Sequence, residues 1–197
     1  MAVMYDVVCS LVIGGILLVM IFSFNGNISA SALGQTIRMT TQTNMTALGN
    51  IVEFEFRKIG YRIDAPPADS GVLQAGRHTI TVRGDFDNDG AVDQLRYYFD
   101  SSSVSGLPNT NTHLLRRVFN GNDRVLSSCV TSCRFYYFDR NGMPLNDDPV
   151  PLPSEIFAIR LALNVESTVP FKEPNGEFVK TNPGVYWDRT FAPQNLR

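Results

Sequence analysis

Four aspartates punctuate the run GDFDNDGAVDQLRYYF: Asp85, Asp87, Asp89 and Asp93, with Gly90 among them. The pattern D-x-D-x-D-G-x-x-D lets carboxylates at positions one, three, five and nine meet the main-chain carbonyl of Ala91 at position seven around one hard cation. Glycine at position six supplies the sharp turn. An all-oxygen set of this kind suits Ca2+, held as a structural clamp on the loop. Arg96 stands where an EF-hand carries its bidentate glutamate. An EF-hand helix pair is therefore excluded, and the expectation is a strand-flanked loop of lower affinity. The competing reading of the same residues is a polar Asp/Asn/Gly turn with dispersed charges.

Cys129 and Cys133 are four residues apart. In a straight strand their Cα atoms would lie ~13 Å from each other, while a disulfide needs roughly 4.4–6.8 Å, so a bond requires residues 130–132 to turn. The sequence expectation is that disulfide, in an oxidising compartment, against the alternative of two free buried thiols. Zinc is a poor fit, because His78 and His113 have no spaced partners. No H-E-x-x-H, G-x-S-x-G, P-loop or dinucleotide fingerprint occurs, so no enzymatic activity is expected. Trp187, with Tyr186 and Phe191, reads as core or interface. Seventeen Lys+Arg against nineteen Asp+Glu give a net charge of −2, which offers no field to gather nucleic acid.

The elements that hold these residues belong to two physical regimes. Charged residues are 18% of the 197-residue chain, yet the only charge before Arg38 is Asp6. Residues 7–24, VVCSLVIGGILLVMIFSF, contain neither charge nor proline; as a helix they span ~27 Å, enough to cross a bilayer. No basic stretch precedes this run and no A-x-A-like site follows it, so a retained anchor is expected rather than a cleaved signal peptide. Cys9 is a small apolar residue within it. Asp6, at the edge of hydrocarbon, is costly unless paired and is a functional candidate on that ground. Arg38, the first basic residue, favours a cytoplasmic C-terminal side under the positive-inside rule, and charge by itself leaves the topology open.

Beyond the anchor, Ile37, Met45, Leu48, Val52, Phe56 and Ile59 are spaced by eight, three, four, four and three residues, one face of a continuing helix. Asn25-Gly26-Asn27 and Gly34 are weak points where a hinge could sit. Arg57 and Lys58 suit the negative end of the helix dipole, Gly60 suits a left-handed C′ position, and Pro66-Pro67 prevents resumption. After residue 70 the apolar period becomes two: Ile80 and Val82; Leu95, Tyr97 and Phe99; Cys133, Phe135 and Tyr137; Phe157, Ile159, Leu161, Leu163 and Val165. A helix needing cover for a stripe and a sheet needing cover for a face combine into an α+β layer, a long N-terminal helix on an antiparallel sheet. The expected organisation is an apolar helix over 1–24, its amphipathic continuation over 25–62 and a β-rich head over 63–197.

This order of parts carries a resemblance. A charge-poor helix with one acid near its start runs into EFEFRKIGYRID. Then come the GDFDNDGAVDQLRYYF hairpin, CRFYYFDRNGMPL, SEIFAIRLALNV and a final TFAPQNLR. Together these resemble type IV pilin-like proteins, and within them the minor pilins and minor type II secretion pseudopilins. The resemblance implies a subunit of a filament shaft or tip, held in the inner membrane before assembly, with helices bundled centrally and heads facing outward. Its partners would be copies of itself or related pilin-like subunits. It also implies that Asp6 pairs with a neighbouring subunit's N-terminal amine and sets the axial register. With Met1 removed, Asp6 becomes the fifth residue, where the family carries Glu. MAVMYDVV departs from the family in showing no basic leader ending in Gly. A non-polymerising single-pass membrane protein, its β domain outside the cytoplasm in a larger complex, is the second reading of the same sequence.

Overall fold

The computed structural model of the chain describes residues 2–63, 71–169 and 182–196. Helix α1 runs unbroken from Ala2 to Arg57, 56 residues, or ~84 Å at the usual rise. The hinge expected at Asn25-Gly26-Asn27 or Gly34 is not formed. An isolated glycine costs a helix about 1 kcal/mol but removes no hydrogen bond, and no proline lies within the span. The threonine-rich stretch that follows stays helical with the hydroxyls of Thr36, Thr40, Thr41, Thr43 and Thr46 donating to carbonyls one turn back, at 2.9–3.0 Å.

The helix ends as its sequence dictates. Gly60 has φ +77°, and its amide donates to the Arg83 carbonyl at 2.8 Å. A Cβ at that position would stand 2.9 Å from Asn195, so glycine is required both for the turn and for the approach of the C-terminus. Pro66-Pro67 lies outside the described residues.

The head is one antiparallel sheet. Strands β1 (Val72–Ala75), β2 (Thr79–Gly84), β3 (Asp93–Ser103), β4 (His113–Phe119), β5 (Asn122–Phe138), β6 (Pro144–Leu145), β7 (Ala158–Glu166) and β8 (Gly184–Phe191) are all paired in it. Their order is β1-β2-β3-β4-β5-β7-β8, with β6 paired to β5 off this path. The sheet curls, so that the β1–β2 turn reaches back to β5: the Phe135 amide donates to the Arg77 carbonyl at 2.9 Å. The β4–β5 turn has Asn120 at φ +46° and Gly121 at φ +82°, the two left-handed residues of a tight hairpin.

The α+β layer is therefore the fold. Met45, Leu48, Val52, Phe56 and Ile59 are all buried against the sheet, while Ile37 at the end of the stripe is half-exposed. Phe56 sits at the centre, with ring centroids 5.8 Å from Tyr97 on β3, 6.3 Å from Phe135 on β5 and 5.2 Å from Phe191 on β8. Trp187 on β8 lies against the helix at Gly49, where a Cβ would be 3.2 Å from the indole.

The sheet and helix are also joined by charge. Glu55 is 7% exposed. It accepts from the Tyr97 hydroxyl and takes a two-pronged contact from Arg117, whose Nε is 2.9 Å away. Burial, and then the negative charge of Glu55, hold the Tyr97 phenol well above its ordinary range. Two residues earlier, Glu53 pairs with Arg57 along the helix and with Arg189 of β8 at 3.1 Å.

Replacing Glu55 by Gln keeps its shape but leaves the Arg117 guanidinium without a counter-charge, at a cost of about 2–3 kcal/mol. Denaturant melts of the full chain in detergent check this. A loss below about 0.5 kcal/mol would place the pair among exposed ion pairs of little consequence.

Candidate assembly surface and acidic loop

The N-terminal half of α1 is left uncovered by the described residues of the head. Sixteen large apolar side chains between Val3 and Phe24 are exposed; Leu11, Val19 and Phe22 stand at 70%, 69% and 71%. They occupy every side of the helix, the pattern of a segment surrounded by lipid or by other helices. The helix is long and apolar enough to cross a membrane. Asp6 lies exposed on this stretch, with no hydrogen-bond or ion-pair partner among the described residues. The structure thus places Asp6, the expected assembly residue, in the second turn of the helix, on the half left uncovered by the described residues. Cys9 is one turn further on and equally exposed.

The acidic loop joins β2 to β3, closed by the pair Gly84↔Asp93. Oxygens of Asp85, Asp87 and Asp89 come within 4.8 Å of one another. Asp85 is fully buried, while Asp87 and Asp89 are exposed. Asn88 at φ +65° and Gly90 at φ +92° fold the loop over, and Phe86, 5% exposed, anchors it in the core.

Asp93 does not join that convergence. It is buried, and both its oxygens are engaged: Oδ2 accepts from the Phe86 amide at 3.0 Å, and Oδ1 from the Asn120 side chain at 2.7 Å. Its role in this geometry is to tie the base of the loop to the β4–β5 turn. The Ala91 amide donates to Asp89 Oδ1 at 2.7 Å.

Two side chains from the turn just beyond α1 approach the same loop. The Arg62 guanidinium donates to Asp85 Oδ2 at 2.9 Å. The Lys58 ammonium donates to the Phe86 carbonyl at 2.7 Å and to Asn88 Oδ1 at 3.1 Å. The helix end thus holds the loop electrostatically, a relation that the motif alone gives no hint of.

The disulfide expectation is corrected. Cys129 and Cys133 are free thiols, both within the continuous strand β5. The pairing with β7 shifts register between Val130 and Ser132, which brings Val130 and Cys133 into the core together. That bulge bends the strand without reversing it, and only a reversal would bring the two sulfurs into bonding range. Burial pushes the Cys133 thiol far up from its ordinary value.

The two histidines flank Phe99, at centroid distances of 5.8 and 5.3 Å. Their Nδ1 atoms bond to the main-chain carbonyls of Cys133 and Ser102, at 2.9 and 3.3 Å. Both stand in structural surroundings. The aromatic trio at the C-terminus divides: Trp187 and Phe191 pack toward the helix, and Tyr186 is exposed.

No protein-family model matches the chain, and no curated protein matches it either.

The geometry of β5 has a chemical consequence. In the folded protein Cys133 resists alkylation by a maleimide and reacts only on denaturation, and peptide masses covering residues 129–133 are the same with and without prior reduction. A two-hydrogen mass difference on reduction would restore the disulfide.

Proposed function

We infer that the chain is a subunit of a type IV pilus-like or pseudopilus filament, in its shaft or at its tip, and that it works by assembly rather than by turnover. The observation that carries this reading is the division of one continuous 56-residue helix. Its C-terminal part is bound by the head, while its N-terminal part is apolar on all sides and left uncovered by the described residues of its own chain. A bilayer covers that surface before assembly; a bundle of like helices covers it afterwards. Moving from one to the other changes the surroundings of the apolar side chains little, so the helix can leave the lipid for the filament core without paying to enter water.

Asp6 gives the bundle its register. Apolar helices in contact slide past one another at little cost, whereas a carboxylate in hydrocarbon must find a cation. The N-terminal amine of a neighbouring subunit, a copy or a related pilin-like chain, supplies one at the matching height. The head then faces outward from the filament, outside the cytoplasm. In the alternative reading the helix stays in the membrane and the head serves a larger complex there.

Asp6→Asn leaves the head folded with an unchanged thermal midpoint. It lowers the amount of protein recovered in sheared filaments about tenfold or more, since a lost charge pair in that setting costs at least about 1.4 kcal/mol. Quantitative immunoblots of sheared and membrane fractions from cells measure the ratio. Equal recovery of the two forms removes Asp6 from assembly, and absence of the unsubstituted protein from any fibre favours the membrane-complex reading.

A further inference from the structure

The geometry points to a divalent-cation site of the Ca2+ class in the β2–β3 loop, built from three carboxylates: Asp85, Asp87 and Asp89. The convergence of their oxygens within 4.8 Å is joined by a second observation. Asp85 is 0% exposed, and its Oδ1 is buried with no hydrogen-bond partner among the described residues. A buried carboxylate oxygen without a donor is expensive, and native structures supply a partner for such an atom.

The protein's own donors account for only half of the oxygens. Asp85 Oδ2 takes the Arg62 guanidinium at 2.9 Å and the Gly90 amide at 3.2 Å. Asp87 Oδ1 takes the Asp89 amide at 3.1 Å, and Asp89 Oδ1 takes the Ala91 amide at 2.7 Å. Each aspartate thus has one oxygen that accepts from the protein and one that accepts no hydrogen bond among the described residues. Main-chain donors orient the acids while a cation collects what they leave.

The donor set selects the ion. All three donors are hard carboxylate oxygens with no nitrogen or sulfur, which disfavours zinc and copper. The loop is short, and two of its three acids are exposed, so the coordination shell is completed by water in the irregular geometry that Ca2+ accepts and Mg2+ does not. Asp93, spent on Phe86 and Asn120, is a positioning residue for the loop and not a ligand. Arg62 and Lys58 place positive charge beside the three acids, which keeps the affinity in the range of extracellular modules, about 10⁻⁴–10⁻³ M.

The site stands in the head and does not depend on how the N-terminal helix is used. Calorimetric titration of Ca2+, and separately of Mg2+, into the full chain in detergent after chelator treatment tests it. One Ca2+ per chain binds saturably, and the thermal midpoint rises by a few degrees in about 10 mM CaCl2. The exposed pair Asp87→Asn and Asp89→Asn weakens binding about tenfold or more, while the midpoint in chelator stays that of the unsubstituted chain. Arg62→Gln tightens binding by removing the competing charge. No saturable heat and an equal midpoint with and without Ca2+ overturn the proposal, as does binding unaffected by the Asp87 and Asp89 substitutions. Because both of those side chains are exposed, a failure of buried Asp85→Asn to fold does not bear on the outcome.

Discussion

A helix ~84 Å long cannot be covered by the single sheet that its own chain supplies, and everything else in the molecule is arranged around that shortfall. The buried stripe begins at Thr41 and Met45 and closes at Ile59. Upstream of it, sixteen large apolar side chains from Val3 to Phe24 are exposed, with no cover among the described residues. Leaving them in water would forgo on the order of tens of kcal/mol, at about 1.5–3 kcal/mol for each large side chain. That exceeds the net stability of an ordinary domain. Some other apolar medium must therefore receive the N-terminal half, and the account of function is an account of what that medium is.

A helix free at one end has to be held firmly at the other, or the head would have no fixed orientation relative to the stem. The lower half of α1 is held in three ways. Phe56 is surrounded by aromatic rings from three strands. Glu55 pairs with Arg117 of β4, and Glu53 with Arg189 of β8. The helix end is stitched to β2 through Gly60 and to the acidic loop through Lys58 and Arg62. The aromatic contacts supply burial, and the ion pairs fix rotation and height along the helix axis, because a carboxylate with a specific partner tolerates no slippage.

How much of this was legible in the residues depends on the kind of signal. Strong periodicity read correctly: the stripe from Met45 to Ile59 and the alternation of Ile159, Leu161, Leu163 and Val165 both lie buried as their spacing predicts. Strand β4 was not legible, since Arg117 interrupts the apolar alternation of Leu115 and Phe119, and that same arginine is the partner of Glu55. A polar residue facing inward erases a strand signal where a buried ion pair is being built. Glu55 itself left a trace, lying three residues after Val52 and four before Ile59, at the border of the buried stripe. The acidic loop was visible as a motif, but the separation of Asp93 from the other three acids was not, because it rests on Asn120, a residue 27 positions away. The disulfide expectation failed because two cysteines at a given spacing do not reveal whether the strand between them bulges or turns.

The central claim is that the apolar half of α1 lies against other protein helices. A photoreactive phenylalanine placed in turn at Leu11, Val12 and Ile13, which point to three different sides of the helix, tests it most directly in cells making the full chain. The account predicts covalent adducts to the N-terminal helix of a second polypeptide, a copy or a pilin-like relative, from at least one of the three positions, and enriched in the sheared surface fraction. Lipid adducts alone from all three would contradict it.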